Sequence, residues 1–143
     1  VLAAAPEIGK QLPEVDILIT AEAKGIPLVF EISRLMNMKK YVVARKSVKP
    51  YMDSPLIDEV VSITTQKKQI LCLDKKDAEM IKGKRIAIID DVISTGESIQ
   101  AVERLIENAG GTVAARAAIL AEGDAAKRKD IIFLEELPLF PIK

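Results

Sequence analysis

The sequence predicts an α/β fold in which a mostly parallel, twisted sheet has helices packed on both faces. Two observations support this fold class, and the chain length indicates the number of domains. Short apolar runs rich in Ile, Val and Leu recur along the chain and alternate with helical patterns. Several of these runs are continuously apolar, as expected of strands that are covered on both sides. The chain has 143 residues, which suits a single domain, so we predict one domain over residues 1–143.

Five apolar runs are predicted to be the strands of this sheet. They cover residues 15–20, 41–44, 86–89, 112–120 and 131–134. Two further β-prone runs, residues 59–65 and 69–73, flank a polar Gln-Lys-Lys stretch and predict a hairpin. Residues 45–58 are rich in Lys, Pro and Ser, which predicts a loop. The lone cysteine, Cys72, has a leucine on each side, which favours a buried small side chain over a nucleophile.

Two segments have the apolar spacing of a helix. The first covers residues 27–37 and starts at Pro27, a residue type that is favoured in the first helical turn. The second covers residues 97–109, has a continuous apolar face, and ends at Gly110 and Gly111. Each helix follows a predicted strand after a short loop, which is the order found in parallel sheets.

The composition excludes several classes of function. The 21 basic and 21 acidic residues give a net charge of zero, which argues against a general binder of nucleic acid or anionic membranes. No apolar run approaches the ~18 residues of a membrane span, and the N-terminal stretch lacks the basic leader of a signal peptide. With no histidine and one cysteine, imidazole chemistry and a disulfide framework are also excluded. We expect a cytoplasmic protein that binds neither nucleic acid nor membrane.

Three segments follow predicted strands and are candidates for a ligand site. They cover residues 21–25, 45–51 and 90–98. In open α/β sheets, ligands bind outside the carboxyl ends of the strands. Because all three segments leave a carboxyl end, we expect them to meet at one edge of the sheet.

The third segment has the chemistry of a sugar-phosphate site. Its loop enters a helix, so free backbone N–H groups and the helix dipole favour a phosphate, and Ser94, Thr95 and Ser98 add hydroxyl donors. Asp90 and Asp91 would repel that phosphate, but they can accept hydrogen bonds from vicinal hydroxyls or hold a hard cation. The alternative is an aspartate pair that only caps a turn.

The stretch IAIIDDVISTGES, residues 86–98, resembles the phosphoribosyl pyrophosphate (PRPP) signature of the type I phosphoribosyltransferases. TAEAKGIP, residues 20–27, is similar to the pyrophosphate loop of that family, and VVARKSVK, residues 42–49, to the strand and basic start of its flexible loop. DAEMIKGKR, residues 77–85, resembles the connection before the signature strand in the purine-base branch. The resemblance covers most of the chain. It implies the fold of this family, with a flexible loop and hairpin as a lid over residues 46–73 and a reduced N-terminal hood.

The resemblance also implies a role for each matching residue. Asp90 and Asp91 would contact the ribose hydroxyls and, with Lys46, form the catalytic set. The 5-phosphate would lie on a loop of five residues, namely Ser94, Thr95, Gly96, Glu97 and Ser98. This loop departs from the commonest family form, which ends in Gly-Gly-Thr. Glu97 is therefore predicted to direct its carboxylate outward while its N–H points to the phosphate.

Pyrophosphate would be bound by the two other segments. The residues implied are Glu22, Ala23, Lys24, Gly25, Arg45, Lys46 and Lys49. For residues 21–24 the alternative is a simple turn between strand and helix, and for the basic residues it is a solvated loop. A closing lid would exclude water from a ribosyl cation that is otherwise hydrolysed.

The purine base would be bound by the C-terminal segment, residues 121–143. Phe133 and Phe140 could stack on the base, although packing in the core or the tail explains them equally well. The tail resembles that of adenine enzymes, whereas SITTQ, residues 62–66, resembles the xanthine enzymes. We favour adenine as the base, with xanthine, guanine or hypoxanthine as alternatives. The resemblance further implies magnesium as cofactor and a homodimer.

Two other classes of protein share parts of these patterns. A PRPP-sensing regulator would keep the site and lose catalysis, but such regulators usually carry an added basic domain. A signalling receiver domain also has an acidic pair at a strand end, but that pair follows the first strand of the domain. The pair in this chain lies near its middle.

Overall fold

The computed structural model describes residues 4–22, 24–38, 40–46, 56–61, 68–93, 97–122 and 131–137. In chain order, the elements are α1 (Ala4–Gln11), β1 (Ile17–Ala21), α2 (Ile26–Leu35), β2 (Val42–Ala44), β3 (Leu56–Val61), β4 (Lys68–Leu73), α3 (Lys75–Ile81), β5 (Arg85–Ile93), α4 (Glu97–Asn108), β6 (Thr112–Glu122) and β7 (Ile132–Leu137).

The five strands β2, β1, β5, β6 and β7 form one sheet in that order. Every neighbouring pair within this sheet is parallel. β1 and β5 are the central partners, with Ile17 opposite Ile86 and Ile19 opposite Ile88. The predicted α/β fold class with a mostly parallel sheet is therefore confirmed.

Helices cover both faces of the sheet, and each face has its own aliphatic core. On one face, α1 and α2 bury Ile8, Leu28 and Ile32 against β1 and β5. On the other face, α4 buries Leu105 and Ile106 against the same two strands. Fully burying a side chain of this size contributes about 1.5–3 kcal/mol, so these two apolar layers are a main source of stability for the three-layer arrangement.

β3 and β4 form an antiparallel hairpin with a register from Leu56 opposite Leu73 to Val61 opposite Lys68. The predicted hairpin is therefore confirmed, although β3 begins at Leu56 within the stretch predicted to be a loop. The end of β4 is joined to the main fold. Arg45, just after β2, exchanges two backbone hydrogen bonds with Cys72 at 2.9 and 2.8 Å. Leu71, Cys72 and Leu73 are buried, and the two leucines belong to the core under α4.

Three further features differ from the sequence prediction. α1 and α3 were not predicted, because only Ala5 and Ile8 of α1 and only Ile81 of α3 are buried. The signature strand also extends further than residues 86–89, since β5 continues to Ile93 and pairs with β6 along this extension. Asp90 and Asp91 therefore lie within the strand rather than in the loop after it.

No helix among the residues described above has both the length and the apolar character that crossing a membrane requires.

Candidate active site

The carboxyl ends of β2, β1 and β5 lie side by side, because these strands are neighbours in a parallel sheet. The three segments predicted to bind a ligand leave the sheet at these ends. Residues from all three segments approach one another there, through Gly25, Lys46 and Asp90. The expectation that they meet at one edge is therefore confirmed for the described residues.

Gly25 brings the start of α2 close to the ends of β1 and β5. A Cβ atom at this position would lie 2.2 Å from Thr20 Oγ1 and 3.4 Å from Asp90 Cα. Any side chain here would therefore collide with the fully buried Thr20. Gly25 is the N-cap residue of α2, and its carbonyl accepts the N–H of Val29 at 2.9 Å. A glycine at the helix start thus lets the loop after β1 lie directly beside the acidic pair.

Asp90 and Asp91 are adjacent, half-buried residues near the end of β5. The N–H of Asp91 donates to Asp90 Oδ1 at 2.8 Å, and the N–H of Val92 donates to Asp91 Oδ1 at 2.9 Å. Burial and then the adjacent Asp91 side chain raise the pKa of Asp90 from its usual 3.8 to about 7. The positive charge of Lys46 acts in the opposite direction. The Asp90 carboxyl therefore ionises at a higher pH than an ordinary aspartate.

Lys46 links the second segment to the acidic pair. Its side chain is exposed, and its positive charge acts to lower the pKa of the Asp90 carboxyl. The backbone N–H of Lys46 donates to Glu22 Oε1 at 2.9 Å. The other carboxylate oxygen, Glu22 Oε2, lies 3.6 Å from Nη1 of Arg45. Through Glu22, the loop after β1 therefore contacts both basic residues that follow β2, Arg45 and Lys46.

Glu22 is connected to β2 through its backbone as well. Its N–H donates to the carbonyl of Ala44 at 2.8 Å. The prediction placed Glu22 among the pyrophosphate ligands, but this N–H and the carboxylate are both used within the protein. Its contacts differ from those expected of a direct ligand.

The other predicted site residues are placed as follows. Lys24 is exposed next to Gly25. Glu97 and Ser98 form the start of α4, so the predicted phosphate loop leads into a helix N-terminus, while their side chains are outside the description. Phe133 is half-buried and packs against the core under α4, which agrees with a packing role. The remaining predictions, on Ala23, Lys49, Ser94, Thr95, Gly96 and Phe140, lie outside the described residues.

Two residues near this edge were not predicted. The Thr20 side chain occupies the space that a Cβ at position 25 would need, so only glycine fits there. Asp77 in α3 is half-buried, and burial and then Asp74 raise its pKa while the charge of Arg45 lowers it. The charge of Arg45 therefore acts on two carboxylates, Glu22 and Asp77. The sequence offered little signal for Asp77, since α3 has a single buried residue.

The described residues offer magnesium two carboxylates, which is fewer ligands than the ion needs. Within the described ranges, no group of three or more acidic or cysteine side chains could hold a metal ion. Asp90 and Asp91 offer oxygen ligands, the type that magnesium prefers. Magnesium in proteins is commonly held by one or two carboxylates together with phosphates of the substrate and water. The pair fits that arrangement, in which most ligands come from outside the protein.

Comparison with known proteins agrees with this fold. Residues 8–138 match the model of the phosphoribosyl transferase domain. The chain therefore belongs to the type I phosphoribosyltransferase family, as the sequence resemblance predicted.

Two relatives indicate how far the similarity extends. The chain is 30% identical over 115 residues to a hypoxanthine/guanine phosphoribosyltransferase of Ferroglobus placidus, covering 80% of this chain and 57% of the relative. It is 35% identical over 121 residues to the enzyme of that name from Methanococcus voltae, covering 82% and 59%. The chain thus spans a little over half the length of the curated relatives it matches.

The fold is also shared with solved structures. An adenine phosphoribosyltransferase from Thermoanaerobacter pseudethanolicus superimposes with a TM-score of 0.80 at 24% identity, covering 95% of this chain and 80% of that one. The enzyme from Rhodothermus marinus gives 0.77 at 23% identity. At these identities the likeness shows the fold alone.

Proposed function

We propose that this chain transfers the 5-phosphoribosyl group of PRPP to a purine base and releases pyrophosphate, a reaction of purine salvage. The observation that carries the proposal is the meeting of three features at one sheet edge. These are the Asp90–Asp91 pair, the glycine start of α2 beside it, and the cations after β2. In a member of this family, that arrangement suits a sugar that carries phosphates on both sides.

The acidic pair is assigned to the ribose. Asp90 and Asp91 accept hydrogen bonds from the 2- and 3-hydroxyls, and their negative charge favours the positive charge that develops on the ribosyl group. The 5-phosphate is assigned to Ser94, Thr95, Gly96, Glu97 and Ser98, where the N-terminus of α4 adds backbone donors. Catalysis of this kind consists of positioning and electrostatic stabilisation, so it needs no histidine.

Pyrophosphate is assigned to the cations after β2 and to the loop after β1. Lys46 and Arg45 supply positive charge, and Lys49 and Lys24 extend it. Ala23 and Gly25 would contribute backbone donors. Magnesium, when bound with PRPP, would neutralise charge on the departing pyrophosphate, and Asp90 and Asp91 are the residues that would hold it. A homodimer is expected from the family resemblance, and a cytoplasmic location from the single cysteine.

For the base, the relatives and the fold point to different purines. The relatives at 30–35% identity are named as hypoxanthine/guanine enzymes, whereas the solved structures at 23–24% identity are named as adenine enzymes. Sequence similarity at these levels bears more directly on specificity than a shared fold. We therefore place hypoxanthine or guanine first, ahead of the adenine favoured by the tail of the sequence.

The test measures binding and turnover separately. PRPP binding is measured by calorimetry with magnesium, and pyrophosphate release is followed with adenine, hypoxanthine, guanine and xanthine in turn. We expect PRPP binding and turnover with at least one of these purines. If the protein binds PRPP but turns over none of the bases, the enzyme hypothesis is overturned in favour of a PRPP-binding regulator. If it does not bind PRPP, the assignment of the site is overturned.

A matched pair of variants locates the activity. Asp90→Asn removes one carboxylate of the pair and should lower turnover roughly 10²-fold, as is typical when an electrostatic stabiliser is lost. Asp16→Asn is the control, because Asp16 accepts the N–H of Arg85 at the opposite end of the same sheet. The control should keep wild-type turnover. Equal losses in both variants would indicate general damage rather than a site at Asp90.

A further inference from the structure

We infer that Glu22 is a positioning residue, which holds Arg45 and the backbone of Lys46 at the end of β2 so that their cations face bound pyrophosphate. This inference rests on the proposed function. It gives a role to an acidic side chain in a loop whose expected ligand is itself an anion.

The first support is the direction of the Glu22 contacts. Its N–H donates to the carbonyl of Ala44 at 2.8 Å, and Oε1 accepts the N–H of Lys46 at 2.9 Å. Oε2 lies 3.6 Å from Nη1 of Arg45. Backbone and side chain of Glu22 therefore both contact β2 and the two residues that follow it.

The second support is the degree of burial. The Glu22 and Arg45 side chains are 21% and 32% exposed, so water screens this ion pair less than a pair on the open surface. Together with the hydrogen bond from the Lys46 N–H, this partly shielded pair favours one arrangement of the two residues after β2.

The third support is electrostatic. An unpaired carboxylate in this loop would repel pyrophosphate, whereas a carboxylate paired with Arg45 adds little net charge. Without the Glu22 side chain, the Lys46 N–H would lose its acceptor and Arg45 would lose the carboxylate 3.6 Å from its Nη1. The cations would remain in the chain, but this side-chain restraint on their placement would be lost.

The experiment compares Glu22→Ala, Glu22→Gln and Lys46→Met. Calorimetry measures the binding of PRPP, of pyrophosphate and of ribose 5-phosphate, each with magnesium. Glu22→Ala should weaken PRPP and pyrophosphate binding about tenfold, equal to 1.4 kcal/mol, and leave ribose 5-phosphate binding within about twofold. A role that is only structural would weaken all three ligands together.

The conservative variant and a double variant test how Glu22 acts. The amide oxygen of Glu22→Gln can still accept the Lys46 N–H, so pyrophosphate binding should be weakened less than in Glu22→Ala. If Glu22 acts through Lys46, the Glu22→Ala/Lys46→Met double variant should bind pyrophosphate no more weakly than the weaker single variant. Additive losses would show that Glu22 does not act through the Lys46 cation, and would overturn that half of the inference.

A readout without ligand keeps the inference testable if variants bind poorly. Amide hydrogen exchange at Lys46 in the unliganded protein should be faster in Glu22→Ala than in wild type and nearly unchanged in Glu22→Gln. Glu14→Ala is the control, because Glu14 forms an exposed ion pair with Arg85 near the opposite end of the sheet. It should change neither exchange at Lys46 nor pyrophosphate binding.

The outcomes separate this inference from the proposed function. If wild type binds PRPP and Glu22→Ala binds it equally well or more tightly, the positioning role is overturned and the proposed function stands. If wild-type protein binds neither PRPP nor pyrophosphate, the proposed function is overturned, and the positioning role is overturned with it.

Discussion

At the scale of single residues, Gly25 is the described glycine at which an added Cβ would make the shortest contact. A Cβ there would lie 2.2 Å from Thr20 Oγ1. Gly25→Ala should therefore destabilise the protein by about 1–3 kcal/mol, because the fully buried Thr20 has no space to move into. The free energy of unfolding is measured by urea denaturation. PRPP binding should fall as well, since the start of α2 would move away from Asp90.

Gly9→Ala is the matched control. Gly9 lies within α1, and an added Cβ there would have its nearest neighbour at 4.0 Å. This variant should be neutral or more stable by about 0.5–1 kcal/mol, because alanine is the better helix former. Adding Thr20→Ala to Gly25→Ala removes the clashing oxygen and should restore part of the loss. No rescue would show that the destabilisation has another cause.

The raised pKa of Asp90 gives the stability of the unliganded protein a particular pH dependence. Burial raises the pKa to about 7, above the usual 3.8 that the unfolded chain has. Between these values the folded state binds the proton more tightly, so its stability falls as the pH rises from 3.8 to 7. Asp90→Asn cannot ionise. Its stability advantage should grow over this range and level off above pH 7, at about 4 kcal/mol or less.

The measurement is the difference in free energy of unfolding between Asp90→Asn and wild type at pH 5, 6, 7 and 8. Asp16→Asn is the control, because hydrogen bonds from Arg85 lower the pKa of Asp16 below its usual 3.8. The stability that Asp16 contributes is lost only at lower pH, so the effect of this control should stay constant from pH 5 to 8. A constant effect of Asp90→Asn would contradict the raised pKa.

The site residues differ in how far the sequence could predict them. The acidic pair and the basic residues after β2 were recognised from their order along the chain and their resemblance to a known signature. The roles of Thr20 and Glu22 depend on distances across the sheet, to Gly25 and to Lys46. Such distances arise from which strands are neighbours, and a linear pattern does not contain them.

At the scale of elements, the hairpin is held by the last residues of β4. Leu73 is fully buried in the core under α4. Leu73→Ala should therefore cost about 2–5 kcal/mol of folding free energy, through lost burial and the cavity that remains. Leu35→Ala in α2 is the control with the same change of side chain. Leu35 is 46% exposed, so its removal should change stability by only about 0.5 kcal/mol.

Thermal or urea unfolding of the two leucine variants decides this prediction. A small loss for Leu73→Ala would mean that β4 does not belong to the core. The predicted lid over residues 46–73 remains an expectation, but its final residues are described as packed into the fold. We therefore expect any movement of the lid to end before Leu71.

The elements that the sequence missed share a physical cause. α1 and α3 are short, at 8 and 7 residues, and bury one or two side chains each, so no helical period can be recognised. The end of β5 was missed for the opposite reason. Asp90 and Asp91 are poor strand formers, but pairing with β6 outweighs their preference. The long apolar strands and α4 were predictable because their burial repeats along the chain.

At the scale of the whole molecule, the single thiol reports on global unfolding. Cys72 is fully buried and its backbone pairs with Arg45. A thiol reagent should reach it only when the fold opens. At ordinary stabilities of 5–15 kcal/mol, labelling of native protein should be at least about 10³-fold slower than labelling in denaturant. Both labelling rates are measured with Ellman's reagent, and their ratio gives the free energy of opening at Cys72. This value should equal the free energy of unfolding measured by circular dichroism.

A much smaller opening free energy from labelling would show that β4 detaches while the rest of the molecule stays folded. Leu73→Ala provides an internal check on the method. If opening is global, it should speed up labelling about tenfold for each 1.4 kcal/mol of stability lost. The Leu35→Ala variant, at about 0.5 kcal/mol, should label within about threefold of the wild-type rate.

The strand order also determines when the sheet can assemble. Asp16, just before β1, accepts a hydrogen bond from Arg85, which is 69 residues later in the chain. By contrast, β5, β6 and β7 follow one another both in sequence and across the sheet. Pairing β1 with β5 closes a longer segment of chain than pairing β5 with β6, so it costs more chain entropy before any contact is gained. Pulse-labelled amides of β5 and β6 should therefore be protected before those of β1, and earlier protection of β1 would contradict this order. On the ribosome, β1 would remain unpaired with β5 until about 70 further residues have been synthesised.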